Sequence, residues 1–443
     1  MSDFLLQLKA AKTDEEREWL VMRFSLDSLD PAVRAAVWAA AIPRWFDRDF
    51  MAGLLERSLD EEFGRIFEKL ISLSFVEAFQ GRGHNIHERS RNLLLKHLWD
   101  DDRARYRELN KRAADYCARQ DASDAEWRVA SLYHLLLADE NSGVDEFINQ
   151  GIDWENQFQY GFLEGLARSV MTEFEAKRMN KRAAAWAYHF QASSDLRYSR
   201  NDASMKNLAL ALSTYAEDVH LKRDSLKSLG SLYFLVDRYD EAREKLAEAH
   251  ELYRQSGDQL GEANCLYWLG EVYRFTNQKD KAQQSQEQAL QLYRQGNNKL
   301  GESTSLWALG ELHKTSGEHQ AAQQEFTEAL QMCRQITNHL GEVNCIVSLG
   351  DVSYIQGEHD EARKKYNEAL SLSRQINYRN GEANSIAALG RLHLSLEEYD
   401  KAKAMTEEAL QIYNEIGDKL NEEKCLSRLD KLKEHLKGRQ STS

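Results

Sequence analysis

The 443-residue chain is too long for one ordinary domain and fits two or three. It has 58 Lys and Arg against 72 Asp and Glu, a formal net charge of −14, which disfavours broad binding to nucleic acid or acidic membranes. Hydrophobic residues make up 42%, enough for a core, while the chain has no run of 18 apolar residues and no basic-then-apolar leader, so a cytoplasmic protein without a membrane partner is expected.

Only two prolines occur, Pro31 and Pro43, and sheet proteins usually need more in their turns, so the expected fold class is all-α. Asp30-Pro31 reads as a helix start, followed by a helix over Ala32–Ile42 that stops before Pro43. Asp47 can cap a short helix through Leu55, and an amphipathic helix covers Asp60 to Ile71. The β signal of the chain follows: Leu73 to Phe79, a Gly81-Arg82-Gly83 turn, then His84-Asn85-Ile86. Helices are predicted over Glu88–Trp99 and Arg103–Arg119, and residues 121–180 continue the helical pattern as linker helices without a Gly/Ser-rich hinge.

The stretch Leu29–Leu98, helices then a two-stranded wing then a helix, resembles the winged-helix module of STAND signalling ATPases of the NB-ARC type. Its most specific part is Ile86-His87-Glu88, similar to the Met-His-Asp motif ending that module, with Ile for Met and Glu for Asp. In that family the histidine contacts the phosphates of ADP, so the resemblance assigns a nucleotide-sensing role to His87. The family also needs a phosphate-cradling GxxxxGK[ST] loop, which this sequence lacks. An independent nucleotide hydrolase is therefore not expected. The chain would be the C-terminal half of a split switch acting with a separate NTPase or effector, or the module is kept for packing.

The second half repeats every 40 residues without insertion. Leucine-glycine pairs end at Gly230, Gly270, Gly310, Gly350 and Gly390; alanines follow 12 residues on (Ala242 to Ala402) and 7 further (Ala249 to Ala409). A second glycine marks each link: Gly261, Gly301, Gly341, Gly381. Small residues in this rhythm let two antiparallel helices approach closely, and stacking of hairpins completes a core that one hairpin cannot bury alone. Tyr239-Asp240 and Gly357 to Asp360 read as turns, the aspartates placed as N-caps. The pattern resembles the tetratricopeptide repeat (TPR), which implies a right-handed α-solenoid over 181–436. It departs in length, 40 residues against about 34, and places Arg254, Arg294, Arg334 and Arg374 where a proline usually ends the second helix. Phe190 stands where an earlier glycine would fall, and Asp430 replaces the glycine in a charged closing helix.

The resemblance implies that residues six before and one after the helix glycine face a groove. The first row includes Asn264, Asn344 and Asn384, whose amides can both donate to and accept from an extended peptide backbone. The second row carries Glu271, Glu311 and Asp351, three acids that would favour a basic segment, and ends in Arg391, with Arg274 and Lys314 on the same side partly neutralising it. Cys265, Cys345 and Cys425 share one repeat position and read as packing residues, and the histidines lack ligand spacing, so neither a metal nor another cofactor is expected. No catalytic residue is assigned, because no HExxH, CxxC or Gly-x-Ser-x-Gly is present.

The expected layout is a winged-helix-like domain over 1–120, linker helices over 121–180, a TPR-like superhelix over 181–436 and a disordered tail over 437–443. The expected function is a non-enzymatic protein-interaction module, a sensor or adaptor for a protein or peptide. The alternatives are a winged-helix transcriptional regulator, suggested by Arg82, His84, Arg89 and Arg91, and the split STAND ATPase. Against the former, the helix before the wing opens Glu61-Glu62 where a DNA-reading helix would be basic.

Overall fold

A capping box starts an N-terminal helix that sequence reading passed over. Glu16 N–H donates to Thr13 Oγ1 at 3.1 Å while Thr13 N–H donates back to Glu16 at 3.2 Å, opening α2 (Asp14–Asp27) behind α1 (Ser2–Ala10). The computed structural model describes residues 2–121, 123–139 and 141–440, and it divides into two compact units, Met1–Ser225 and Leu226–Ser443.

In unit 1, Pro31 takes the first helical position and Asp30 accepts from Ala32 N–H at 2.8 Å, giving α3 (Pro31–Ala40). Asp47 and Asp60 cap α4 (Arg48–Leu55) and α5 (Glu61–Ile71) in the same way, at 2.7 and 2.8 Å. The antiparallel hairpin of β1 (Val76–Phe79) and β2 (Gly83–Ile86) pairs Val76 with Ile86 and Phe79 with Gly83. Phe46 joins it as a third element: its N–H donates to His84 O at 2.7 Å, and its carbonyl accepts from His84 N–H at 2.8 Å. That approach explains Gly83, whose φ is 100° and where an added Cβ would lie 2.4 Å from Phe46 O. Next comes α6 (Glu88–Asp101), tied back when Arg91 donates to Ile42 O (2.8 Å) and Pro43 O (3.2 Å).

Unit 1 continues as α7 (Arg103–Ala118), α8 (Ala125–Ala138), α9 (Ser142–Asn156), α10 (Tyr160–Glu175), α11 (Lys181–Arg197) and α12 (Asn201–Thr214). Its core holds Phe46, Phe63, Phe147, Trp154, Trp186 and Phe190, all less than 2% exposed. Phe190 packs where an added Cβ on Gly151 would stand 2.3 Å from its ring. A buried ion pair, Arg178 Nε to Glu173 Oε2 at 2.6 Å, is completed by Tyr133 Oη donating to Glu173 Oε1 at 2.7 Å. The arginines expected to form a phosphate-binding cluster are engaged within the chain: Arg82 with Glu126, Arg89 with Glu18, and Arg91 as above.

From α13 (Val219–Leu235) onward the helices alternate in hairpins. The first helices are α13, α15 (Gln259–Phe275), α17 (Lys299–Ser316), α19 (His339–Ile355) and α21 (Arg379–Ser395). The second helices are α14 (Tyr239–Ser256), α16 (Lys279–Gln295), α18 (His319–Gln335), α20 (His359–Gln375) and α22 (Tyr399–Ile416). The closing helix α23 (Lys419–Gln440) runs through the start of the stretch expected to be a disordered tail, and residues 441–443 lie outside the described residues.

Each helix glycine faces the residue 16 positions on. A Cβ on Gly310 would lie 2.6 Å from Phe326 Cε1, and one on Gly350 2.6 Å from Tyr366 Cε1. The link glycines serve two constraints at once: on Gly261 a Cβ would sit 2.0 Å from Tyr253 Cδ1, while its N–H donates to Asp258 Oδ1 at 3.0 Å. Asn298 and Asn338 cap α17 and α19 through Gly301 and Gly341 in the same way. This corrects the expected caps. The residues before α14 and α20 are Arg238 and Glu358, neither making a side-chain cap bond, and Asp240 and Asp360 lie in the first turn, where they complement the helix dipole. Every hairpin turn instead uses one left-handed residue, at 237, 277, 317, 357 and 397, and every link another, at 257, 297, 337, 377 and 417. The first helices of successive hairpins approach one another (α15–α17, α17–α19, α19–α21), so they form the inner wall of a TPR-like solenoid. On the second helices, Arg294, Arg334 and Arg374 bridge to Glu328, Glu368 and Glu408 of the next hairpin, each at 3.0 or 3.1 Å.

Candidate functional site

The asparagine row is set by tyrosines from neighbouring segments. Asn264 on α15 and Asn384 on α21 accept through Oδ1 from the hydroxyls of Tyr293 and Tyr413, both at 2.7 Å. Asn344 on α19 is hydrogen-bonded to Tyr378, whose hydroxyl pKa is raised by burial against the opposing effect of that bond. With the amide oxygen engaged in Asn264 and Asn384, the amide N–H groups are what a ligand would meet.

The acidic row is not bare. Glu271 is only 4% exposed and accepts from Arg274 Nε at 3.1 Å and Gln286 Nε2 at 3.4 Å. Glu311 accepts from Lys314 Nζ at 2.7 Å and Ser348 Oγ at 2.9 Å, and Ser348 in turn accepts from Trp307 Nε1 at 3.1 Å. Asp351 is held by Tyr366 Oη at 2.7 Å, by Lys314 Nζ at 3.4 Å, and by Arg391 from the next first helix. Arg391 also donates to Tyr366 Oη at 3.1 Å and lies 4.9 Å above the Tyr354 ring. Burial opposes its charge, but Asp351 and Tyr366 outweigh that and raise its pKa further. The acids expected to draw in a basic segment are thus already paired within the chain.

Six of the nine groove residues read from the sequence converge on one pocket of about 500 Å³: Glu311, Lys314, Asn344, Asp351, Asn384 and Arg391. Asn264, Glu271 and Arg274 lie outside it, on α15. Sequence reading missed Trp307, Tyr378 and Tyr413, and also Lys424 and Arg428 on the closing helix, which line the pocket as well. Four cations of the lining (Lys314, Arg391, Lys424, Arg428) therefore face two carboxylates (Glu311, Asp351), and the α21–α23 end is basic. Burial lowers the pKa of Arg428, which donates to Ala387 O at 2.7 Å.

His87 sits apart, in unit 1. It occupies the position before α6 without a side-chain cap bond, its N–H donates to Phe75 O at 2.9 Å, and its half-exposed ring stands 3.6 Å from Glu77. All five cysteines are buried thiols, and His313 and His393 pair with Glu325 and Glu398. Among the described residues no group of three His, Cys, Asp or Glu could hold a metal, and no helix is long and apolar enough to cross a membrane.

Comparison with known proteins agrees with the repeat fold. One tetratricopeptide-repeat family model matches residues 223–295 and 342–415 and a second matches 303–336, so this part of the chain is built of TPR units. No curated protein matches the sequence. Among solved structures, the chain is similar to a STAND protein with a tetratricopeptide repeat sensor from Pyrococcus horikoshii, at 13% identity and a TM-score of 0.53, over 97% of this chain. The chain spans 63% of that protein's length. It is also similar to a Rap protein complexed with competence and sporulation factor (16% identity, 68% of this chain and 87% of that one, TM-score 0.56). A third similarity is to NprR in complex with its cognate peptide NprX (14% identity, 65% and 82%, TM-score 0.51). At these identities the likeness is one of fold: an all-α, TPR-type solenoid. The repeat type supports a protein-interaction module.

Proposed function

We propose that unit 2 binds an extended peptide along its first helices and that the chain works as the sensor or adaptor of a signalling switch. The carrying observation is the convergence of Asn344, Asn384, Asp351 and Arg391 with Trp307 and Tyr378 on one pocket. The asparagine amides suit backbone carbonyls, and the aromatic rings suit apolar side chains. The basic end at Arg391, Lys424 and Arg428 suits an acidic side chain or terminal carboxylate rather than a basic segment. Asn264, Glu271 and Arg274 would extend the same track. That NprR has been solved in complex with its cognate peptide supports the reading. The role division 1–120, 121–180 and 181–436, and a cytoplasmic location, belong to the same proposal.

The test is a peptide array probed with the full chain, then with the Asn344→Ala/Asn384→Ala variant. Losing two amide bonds should weaken captured peptides by about tenfold or more; unchanged affinity would remove this face as the site.

A second reading is favoured by the likeness over 97% of the chain to the STAND protein. In it the chain supplies sensor and winged-helix-like parts to an NTPase acting in trans, with exposed His87 at the nucleotide.

A further inference from the structure

A second cavity, of about 510 Å³, opens in unit 1 between the α3–α4 connection, the hairpin, α8 and α10. Its size falls within the range of roughly 300–1,000 Å³ that suits small ligands. Trp45 and Trp127 form part of its wall, packed edge to face at 5.1 Å, and Phe162 and Phe79 stand partly exposed at it.

Two observations separate this cavity from an incidental gap. Gly161 and Gly165 lie one turn apart on α10 and line it, yet an added Cβ at either would meet nothing within 4 Å. Neither has positive φ, so neither turn geometry nor close packing explains them. Gly165, inside the helix, costs up to about 1 kcal/mol relative to alanine, and together with Gly161 in the first turn it leaves this stretch of wall free of side chains.

The second observation is His134, which lines the same cavity and is only 3% exposed. Its Nδ1 lies 2.9 Å from Asn110 Oδ1, and Asn110 commits its amide N–H to Tyr106 O at 2.9 Å. Asn110 Oδ1 is therefore the acceptor and Nδ1 carries the proton. Burial first, then Arg91 and Arg44, hold the imidazole pKa down to about 3, so the ring is neutral and Nε2 is an acceptor. Nε2 has no partner among the described residues. Arg44, at the exposed side of the cavity, donates to Ser169 Oγ at 2.6 Å and has no carboxylate partner among the described residues.

We propose that this cavity is a binding site for a flat aromatic molecule that donates a ring N–H or O–H to His134 Nε2 and presents an anionic group to Arg44. Trp45, Trp127 and the glycine wall sandwich the ring. Such a ligand would pin the hairpin to α8 and α10, a role separate from peptide binding in unit 2.

The test uses the full chain and three probes in saturation-transfer NMR and calorimetry: indole-3-acetate, its N-methyl derivative, which cannot donate, and 3-methylindole, which has no anion. Indole-3-acetate should bind at millimolar concentration or below, and N-methylation should weaken it about tenfold. Arg44→Ala should weaken indole-3-acetate about twofold to fivefold and leave 3-methylindole unchanged. Gly165→Leu should abolish binding of all three without lowering the melting temperature, since leucine favours the helix. Absence of binding by every probe, or full binding by Gly165→Leu, would overturn the proposal. So would equal effects of Arg44→Ala on the charged and neutral probes.

Discussion

Substituting the helix glycines by alanine should have unequal outcomes at two equivalent positions. In Gly350→Ala the new Cβ would lie 2.6 Å from Tyr366 Cε1 and 2.8 Å from Cδ1. That ring cannot swing away without losing the bonds from its hydroxyl to Asp351 (2.7 Å) and from Arg391 (3.1 Å). Overpacking costs about 1–3 kcal/mol, loss of bonds to charged groups about 1.5–3 kcal/mol, and better helix propensity offsets about 1 kcal/mol. The net loss should be about 1.5–5 kcal/mol. In Gly270→Ala the nearest atom, at 2.6 Å, is Nε2 of Gln286, the far end of a flexible side chain. Moving it sacrifices its bonds to Tyr267 O at 3.0 Å and to Glu271 at 3.4 Å, about 1 kcal/mol each, of which the propensity gain offsets about one half. Native-state hydrogen exchange reads each hairpin separately. Amides of α19 and α20 should exchange about tenfold faster or more in Gly350→Ala, and those of α15 and α16 no more than about fivefold faster in Gly270→Ala. Equal acceleration in the two variants would refute the reasoning.

Asn298→Ala removes the acceptor for Gly301 N–H at 2.8 Å and should cost about 1 kcal/mol, whereas Asn298→Gly should cost only a few tenths, by the same exchange measurement on α17. Burial alone would raise the pKa of Glu382, but hydrogen bonds from Arg374 and Arg379 win and hold it below its ordinary value of 4.5. A depressed folded pKa means that this stabilisation is present above about 4.5 and is lost as pH falls through the folded value. The stability difference between the wild-type chain and Glu382→Gln, followed by urea denaturation, should therefore shrink on acidification; a gap that widens would contradict the assignment.

The repeat was legible because it rests on close approach. A glycine facing Tyr366 or Phe326 leaves a mark every 40 residues that no other residue can replace. The β-hairpin was legible because a β-rich run broken by a Gly-Arg-Gly turn stands out in a helical chain. The turns were not. Their left-handed residues are glycine at 317 and 357 but Asp237, Asn277 and Glu397 elsewhere, so one backbone shape carries several letters. The pairing of the acidic row was hidden by distance along the chain. Arg391 reaches Asp351 from 40 residues away and Lys314 reaches it from 37, beyond the helical spacings that a sequence displays. The cavity of unit 1 draws its walls from segments between Pro43 and Ser169, and only the unexplained glycines of α10 could have pointed to it.

Hydrogen–deuterium exchange of the full chain with and without an array-selected acidic peptide tests the central claim most directly. Protection should concentrate in the first helices α17, α19 and α21 and at the start of α23. Protection confined to the second helices α16 to α22, or to unit 1, would contradict it.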